Sequence, residues 1–109
     1  MRDGEFVVLA DQALADIEQG LEASGADLDY STAGSGVLEI EFDDGSKIVV
    51  NRHAAAQEVW VAARAGGFHF RWDGEAWRDT KDGRELMAVL SDLASTQAGC
   101  RVDLGVNRP

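Results

Sequence analysis

The sequence predicts an α+β fold. We expect a two-layer sandwich: an antiparallel sheet of about five to seven strands, with N- and C-terminal helices packed on one face. Near both ends of the 109-residue chain, apolar residues recur at steps of three and four, the spacing of amphipathic helices. Between them, apolar and polar residues alternate with period two, as in half-buried strands. Two such helices and one sheet can bury their apolar surfaces together if both helices cover the same sheet face.

The first helix is predicted over about residues 4–22. Its apolar positions form one stripe at helical spacing: Phe6, Leu9, Ala10, Ala13, Ile17 and Leu21. Gly20 is expected to weaken the last turns by about 1 kcal/mol relative to alanine. Ser24 and Gly25 are expected to end this helix.

The middle of the chain predicts a run of hairpins. Asp44-Gly45 is a strong signal for a tight turn between two alternating segments. Glycine-containing pairs at residues 66–67 and 73–74 punctuate the later segments. Links this short require antiparallel pairing, because parallel neighbours need a long crossover. The predicted strands include the segments VLEIEF, SKIVVN, EVWVAAR, FHFRWD and EAWRD.

The second helix is predicted over about residues 83–98. Asp82 is expected to be its N-cap, with Glu85 completing a capping box, and Gly99 is expected to stop it. One stripe of this helix is marked by Leu86, Leu90, Leu93 and Gln97. The segment after it, residues 100–106, is predicted to be a last short strand or a tail. The whole chain, residues 1–109, is expected to form a single domain.

The charge distribution excludes two classes of partner. The net charge is −10, and residues 1–50 hold twelve acids against two bases, so the whole imbalance lies in the first half. Nucleic-acid phosphates and anionic membranes repel such a surface. We therefore expect no nucleic-acid and no membrane partner, which leaves cations and basic protein surfaces.

Three absences in the sequence favour a cytoplasmic protein. Cys100 is the only cysteine, so no disulfide can form within the chain. The N-terminus lacks the basic region and apolar run of a signal peptide. No apolar stretch approaches the roughly 20 residues that span a bilayer.

Motifs of enzymes and of preformed metal sites are missing. No G-x-S-x-G, H-x-x-x-H or C-x-x-C pattern occurs, and His53 and His69 are the only imidazoles. Asp27-x-Asp29 begins like a calcium-binding EF-hand loop, but the later ligand positions do not follow that pattern. The sequence therefore predicts a protein that is not an enzyme.

The uncompensated carboxylates of the first half have two interpretations. They can form a solvated acidic face, which is the usual meaning of a surface charge run. However, like charges about 6 Å apart repel by roughly 0.7 kcal/mol even in a water-like dielectric, a cost that a few lysines would remove. Carboxylates are hard ligands that suit Ca²⁺, Mg²⁺, Mn²⁺ and iron ions. On the first helix, Asp11, Glu18 and Glu22 fall within about 40° of each other, so they form a candidate cation surface.

Trp60 is the second unusual residue. Alternation places Val59 and Val61 on one sheet face and Trp60 on the other, so Trp60 faces away from the helices if the valines face them. Two interpretations stay open. The indole can lie flat over the neighbouring strands, or it can anchor a partner protein, because tryptophan is enriched in interface hot spots.

Long motifs in the chain resemble bacterial frataxins of the CyaY type. The segments "GVLEIEFDDGSKIVVNR" and "EVWVAARAGGFHF" resemble the central hairpin and the tryptophan signature of that family. The acidic first helix and the second helix "DGRELMAVLSDLASTQAG" are also similar, so the resemblance covers about residues 3–104. Two departures are visible. Glu58 stands where the family has glutamine, and His53 with three alanines replaces a glutamine and a proline-containing turn.

The resemblance implies a helix–sheet–helix sandwich and a role in iron–sulfur cluster assembly. It implies weak, reversible binding of Fe²⁺ and Fe³⁺ on an acidic ridge, which maps by position to Asp11, Glu18, Glu22, Asp27 and Asp29. It also implies docking to a cysteine desulfurase and to the iron–sulfur scaffold protein. The expected contacts to these partners are Glu18, Glu22, Asn51, Arg52 and Trp60. The chain would be a monomer, with iron-driven oligomers left open.

A rival hypothesis from another class needs the same charges but no iron. An acidic interaction module could occupy a basic protein surface and block it. The two hypotheses differ in whether the carboxylates bind a metal ion.

Overall fold

The computed structural model describes residues 2–32, 34 and 36–104, and this part of the chain forms the predicted sandwich. The elements follow in the order α1 (Asp3–Ser24), β1 (Leu28–Thr32), β2 (Val37–Phe42), β3 (Lys47–His53), β4 (Glu58–Ala63), β5 (Gly66–Trp72), β6 (Trp77–Asp79) and α2 (Leu86–Ala98). Neither helix is long and apolar enough to cross a bilayer. The predicted α+β class, the single antiparallel sheet and the two terminal helices are confirmed.

The sheet is a meander in which every strand pairs with its neighbours in sequence, in the order β1 to β6. All five pairings are antiparallel. The predicted turn at Asp44-Gly45 joins β2 to β3, where Gly45 adopts a positive φ of 85° and its N–H donates to the Phe42 carbonyl. Gly66 and Gly67, predicted as turn residues, instead begin β5, because Ala63 already pairs with Gly66.

The core lies between the helices and one face of the sheet. Its largest fully buried side chains are Phe6, Phe70, Ile17, Leu38, Ile40, Ile48, Leu86 and Leu90. Phe6 of α1 meets Trp77 of β6 edge-on, with ring centroids 5.9 Å apart. The apolar stripe predicted for the first helix is confirmed, except that Leu9 is only partly buried. The opposite face of the sheet carries the alternate residues of each strand, and neither of the two described helices covers it.

The second helix begins later than predicted. Asp82 is not its N-cap: its carboxylate accepts a hydrogen bond from the Arg84 N–H instead. Glu85 is the N-cap, and its side chain accepts from the Met87 N–H at 3.1 Å. The physical reason is a bridge to the sheet. Glu85 pairs with Arg78, and the Arg84 carbonyl accepts from Asp79, which holds residues 84–85 extended.

The segment after α2 packs as a tail without regular structure as far as residue 104. Val102 and Leu104 are almost fully buried, with 2% and 3% of their surface exposed. The Ser95 hydroxyl donates to the Val102 carbonyl and accepts from its N–H. Residues 105 and 106 of the predicted strand or tail lie outside the described residues.

Glycine at position 20 weakens the helix, but the packing of the C-terminal tail requires it. A Cβ atom at this position would lie 2.8 Å from the Leu104 carbonyl oxygen and 3.2 Å from its Cα. The obstacle is backbone, which cannot move aside as a flexible side chain can. Gly20 is therefore the residue that lets the C-terminal tail lie against α1.

We expect Gly20→Ala to destabilise the protein by about 1–3 kcal/mol, as overpacking does, although alanine favours the helix by about 1 kcal/mol. Thermal melts measure this effect, and a domain of this size loses roughly 4–8 °C of Tm per kcal/mol. Gly4→Ala is the matched control, because a Cβ at that position of α1 meets nothing within 4 Å. Equal or higher Tm values for both variants would show that the tail does not need close contact with α1.

Candidate functional site

The five predicted metal-binding carboxylates, here called the acidic ridge, occupy α1, the loop after it and β1. Four of them are exposed, and Glu18 is half-buried. The Tyr30 hydroxyl donates a hydrogen bond to Glu22, which ties the end of α1 to the edge strand β1. This hydrogen bond, with burial and the charges of Glu22 and Glu18, raises the pKa of Tyr30 to about 12. Glu18, Glu22 and Tyr30 therefore form one continuous surface along the β1 edge.

Asp29 belongs to a different surface from that of Glu18 and Glu22. It neighbours Tyr30 in β1, so its side chain points to the opposite face of the sheet. In the strand register Asp29 lies directly across from Glu41. Glu18 and Glu22 thus lie on the helix side of the β1 edge and Asp29 lies on the open face of the sheet, with exposed Asp27 in the connection between α1 and β1.

Asp11 is already paired with a base. The Arg52 guanidinium of β3 forms an ion pair and hydrogen bond with the Asp11 carboxylate. Half of the Asp11 side chain is exposed, with 51% of its surface accessible, whereas Arg52 is 19% exposed. Gly36 gives this arginine room, because a Cβ there would come within 2.7 Å of Arg52 Nε. The sequence showed no nearby base, since the pairing joins residues 41 positions apart.

The acidic ridge contains no preformed metal cage. Among the residues that the structure describes, no three His, Cys, Asp or Glu side chains are placed to hold one ion together. Ca²⁺ takes six to eight oxygen ligands, and Mg²⁺ keeps several waters when few protein ligands are offered. The carboxylates of this surface can attract hydrated hard cations, each held through one or two carboxylates.

Trp60 lies on the open face of the sheet, as its alternation with Val59 and Val61 predicted, and it is half-buried. Its indole is stacked between two imidazoles. The ring centroids of His53 and His69 lie 3.8 Å and 4.6 Å from that of Trp60, with interplanar angles of 11° and 12°. His69 is directly opposite on β5, about one strand spacing away. Rings stacked across strands stand on edge, so the indole does not lie flat over the sheet.

Glu58 fixes the orientation of this stack. Its carboxylate accepts hydrogen bonds from Trp60 Nε1 and from an Arg71 guanidinium nitrogen, both at 2.8 Å, and His69 Nδ1 lies 3.6 Å away. Only 8% of Glu58 is exposed. Burial raises its pKa, but the hydrogen bonds from Trp60 and Arg71 and the nearby positive charge outweigh that effect and leave the pKa lowered. Glu58 therefore remains a carboxylate that holds the indole in place.

The two partner contacts predicted on β3 point in opposite directions. Asn51 lies on the open face, directly across from Trp60 in the strand register. Arg52, the next residue, points to the helix side and pairs with Asp11. The structure therefore brings Asn51 together with Trp60, and it places Arg52 beside the acidic ridge.

Comparison with known proteins identifies the family. A family model described as a frataxin-like domain matches residues 1–100. The chain is a member of the frataxin family. An iron-sulfur cluster assembly protein CyaY from Dechloromonas aromatica (strain RCB) is 68% identical to this frataxin over 99 residues, which cover 91% of this chain and 94% of that relative.

Further comparisons agree in sequence and in structure. An iron-sulfur cluster assembly protein CyaY from Cupriavidus necator is 50% identical, with 96% of this frataxin and 97% of the relative covered. The solved frataxin from Psychromonas ingrahamii superposes with a TM-score of 0.88 at 36% identity, covering 95% of this chain and 98% of that one. The resemblance inferred from the central hairpin and the tryptophan signature is thus confirmed, together with the fold.

Proposed function

We propose that this frataxin assists or regulates iron–sulfur cluster assembly by binding Fe²⁺ and Fe³⁺ weakly on the acidic ridge and by docking to its assembly partners. The observation that carries the proposal is the exposed acidic surface of α1 and the β1 edge. It accompanies membership in a family whose curated relatives are named iron-sulfur cluster assembly proteins. The role is that of a binding protein and not of an enzyme.

The arrangement of the carboxylates supports weak iron binding. Glu18 and Glu22 are four residues apart on one helix flank, so one hydrated cation can contact both. Asp27 and Asp29 offer further oxygens toward the open face of the sheet. Asp11 is a poorer ligand, because a cation would compete with the positive charge of Arg52. Several weak sites, each easily vacated, suit a protein that passes iron on or senses its level.

Docking uses two surfaces. Glu18 and Glu22 together match a basic patch, which we assign to the cysteine desulfurase. The stacked Trp60, with Asn51 beside it, offers an ordered aromatic surface for the scaffold protein. We propose a cytoplasmic monomer, with iron-driven oligomers left open.

Cluster assembly with purified cysteine desulfurase and scaffold protein tests this proposal. The rate is followed with and without this frataxin, at several iron concentrations. We expect the protein to change the rate, and the size of the change to depend on iron. A rate that is the same with and without the protein at every iron level would contradict the proposed function.

A metal-independent acidic module is the second candidate. Two observations favour it. No three potential metal ligands lie together among the described residues, and Asp11 is already engaged in an ion pair with Arg52. Such a module would block a basic surface equally well in iron-free buffer. In the assembly assay, an effect of constant size across all iron levels would identify it.

A further inference from the structure

A small cavity opens at the β6 edge of the sheet, the edge opposite the β1 edge near which Glu18 and Glu22 lie. It has a volume of about 210 Å³ and lies between α1, the β5–β6 connection and the start of α2. Pockets that hold drug-sized ligands usually measure roughly 300–1,000 Å³. This cavity is therefore suited to one side chain of a partner and not to a whole small molecule.

The walls of the cavity are apolar and aromatic. Trp72, which is half-buried, and Trp77, which is 5% exposed, meet edge to face with ring centroids 5.6 Å apart. Leu9 of α1 and Met87 of α2 complete the apolar lining. Indole faces attract cations through the ring quadrupole.

Carboxylates surround these walls. Asp16, Glu75 and Glu85 line the cavity, and none of the described residues that line it is Lys, Arg or His. Asp16 is held by Gln12, whose amide donates to Asp16 Oδ1 at 2.9 Å. The N-terminus of α2 adds about half a positive charge, but Glu85 already caps it. The three negative charges of the carboxylates outweigh the half positive charge of the helix N-terminus, so the cavity is electronegative.

We propose that this cavity binds an arginine side chain from a basic segment of a partner protein. A guanidinium is planar, stacks on indole faces and pairs with carboxylates, so it matches both the walls and the rim. An ammonium is also attracted to indole faces and carboxylates, but it is not planar, so it can neither stack on an indole nor form a bidentate pair with a carboxylate. The protein's net charge of −10 raises the local concentration of such segments. This site requires no iron and uses none of the five ridge carboxylates.

The probe is a capped pentapeptide with one arginine between alanines, titrated into the whole protein at 0.15 M salt. Peptides with lysine or glutamine at the centre are compared with it. We expect saturable NMR shifts of the Trp72 and Trp77 indole N–H groups, with the arginine peptide binding at least tenfold more tightly than the glutamine peptide. No saturable shift at these indoles, or equal binding of the glutamine peptide, would overturn the proposal.

Two double variants distinguish binding in this cavity from binding to the acidic surface in general. Asp16→Asn with Glu75→Gln should weaken the arginine peptide at least tenfold, because it neutralises two exposed carboxylates of the rim. Glu18→Gln with Glu22→Gln removes the same charge from the acidic ridge and should leave binding unchanged. If the ridge pair instead abolishes binding, the peptide is captured by the ridge and the proposal is wrong.

Discussion

Reversing Glu18 and Glu22 to lysine is expected to abolish binding to the cysteine desulfurase. Hydrogen-bonded contacts to charged groups contribute about 1.5–3 kcal/mol each. Losing two of them therefore weakens binding by roughly a hundredfold or more. Titration calorimetry at physiological salt measures the affinity. The fold should survive, because neither side chain is buried, although Glu22→Lys removes the hydrogen bond from Tyr30 to Glu22.

Asp16→Lys with Glu75→Lys is the matched control for this experiment. It reverses the same number of charges on exposed residues, but at the β6 edge of the sheet. We expect this variant to keep its desulfurase affinity within a few-fold, because we assign the cavity rimmed by Asp16 and Glu75 to a partner other than the desulfurase. Equal losses in both double variants would show that net charge alone governs docking, and unchanged binding of the Glu18 and Glu22 variant would refute charge docking through α1.

Ferrous iron is expected to raise Tm far more than sodium chloride of the same ionic strength. Monovalent salt only screens repulsion, as the Debye length falls from about 10 Å at 0.1 M to about 3 Å at 1 M. A bound ion adds about 2.7 kcal/mol at a hundredfold excess over its Kd. For a domain of this size that is roughly 10 °C or more. Anaerobic thermal melts in matched solutions measure the difference.

Neutralising the ridge checks where the iron acts. Changing Asp11, Glu18, Glu22, Asp27 and Asp29 to Asn or Gln should remove most of the extra stabilisation by iron. A variant that keeps Asp11 isolates the contribution of its pair with Arg52, because neutralising Asp11 removes that ion pair. Coincident curves for Fe²⁺ and NaCl with the native protein would favour the metal-independent module.

The fold was predictable because its signals are local. The helical and period-two spacings are visible within short stretches of sequence. The turn at Asp44-Gly45 fixes the pairing of the two strands beside it. The start of α2 was not predictable from its capping motif. It depends on the bridge between Arg78 and Glu85, which forms only when the strand and the helix entrance meet in space.

The candidate sites were predictable in part for the same reason. The side of the sheet that carries Trp60 follows from alternation, and the register of β4 and β5 places His69 beside it. Alternation does not predict the full stack, because His53 lies opposite Glu58 in the strand register and reaches the indole of Trp60 diagonally. The pair of Asp11 and Arg52 had no local signal at all, since its members lie on different elements far apart in sequence.

The meander order of the sheet bears on how the protein folds. Each strand pairs with the one made just before it, so the sheet can assemble by successive hairpins that close short loops quickly. The contact of Gly20 with Leu104 is not local, since it joins α1 to the segment that follows α2. That contact can form only after every strand of the sheet and α2 have been made, because Leu104 follows them in the chain. The first helix is therefore made early and gains its final packing last.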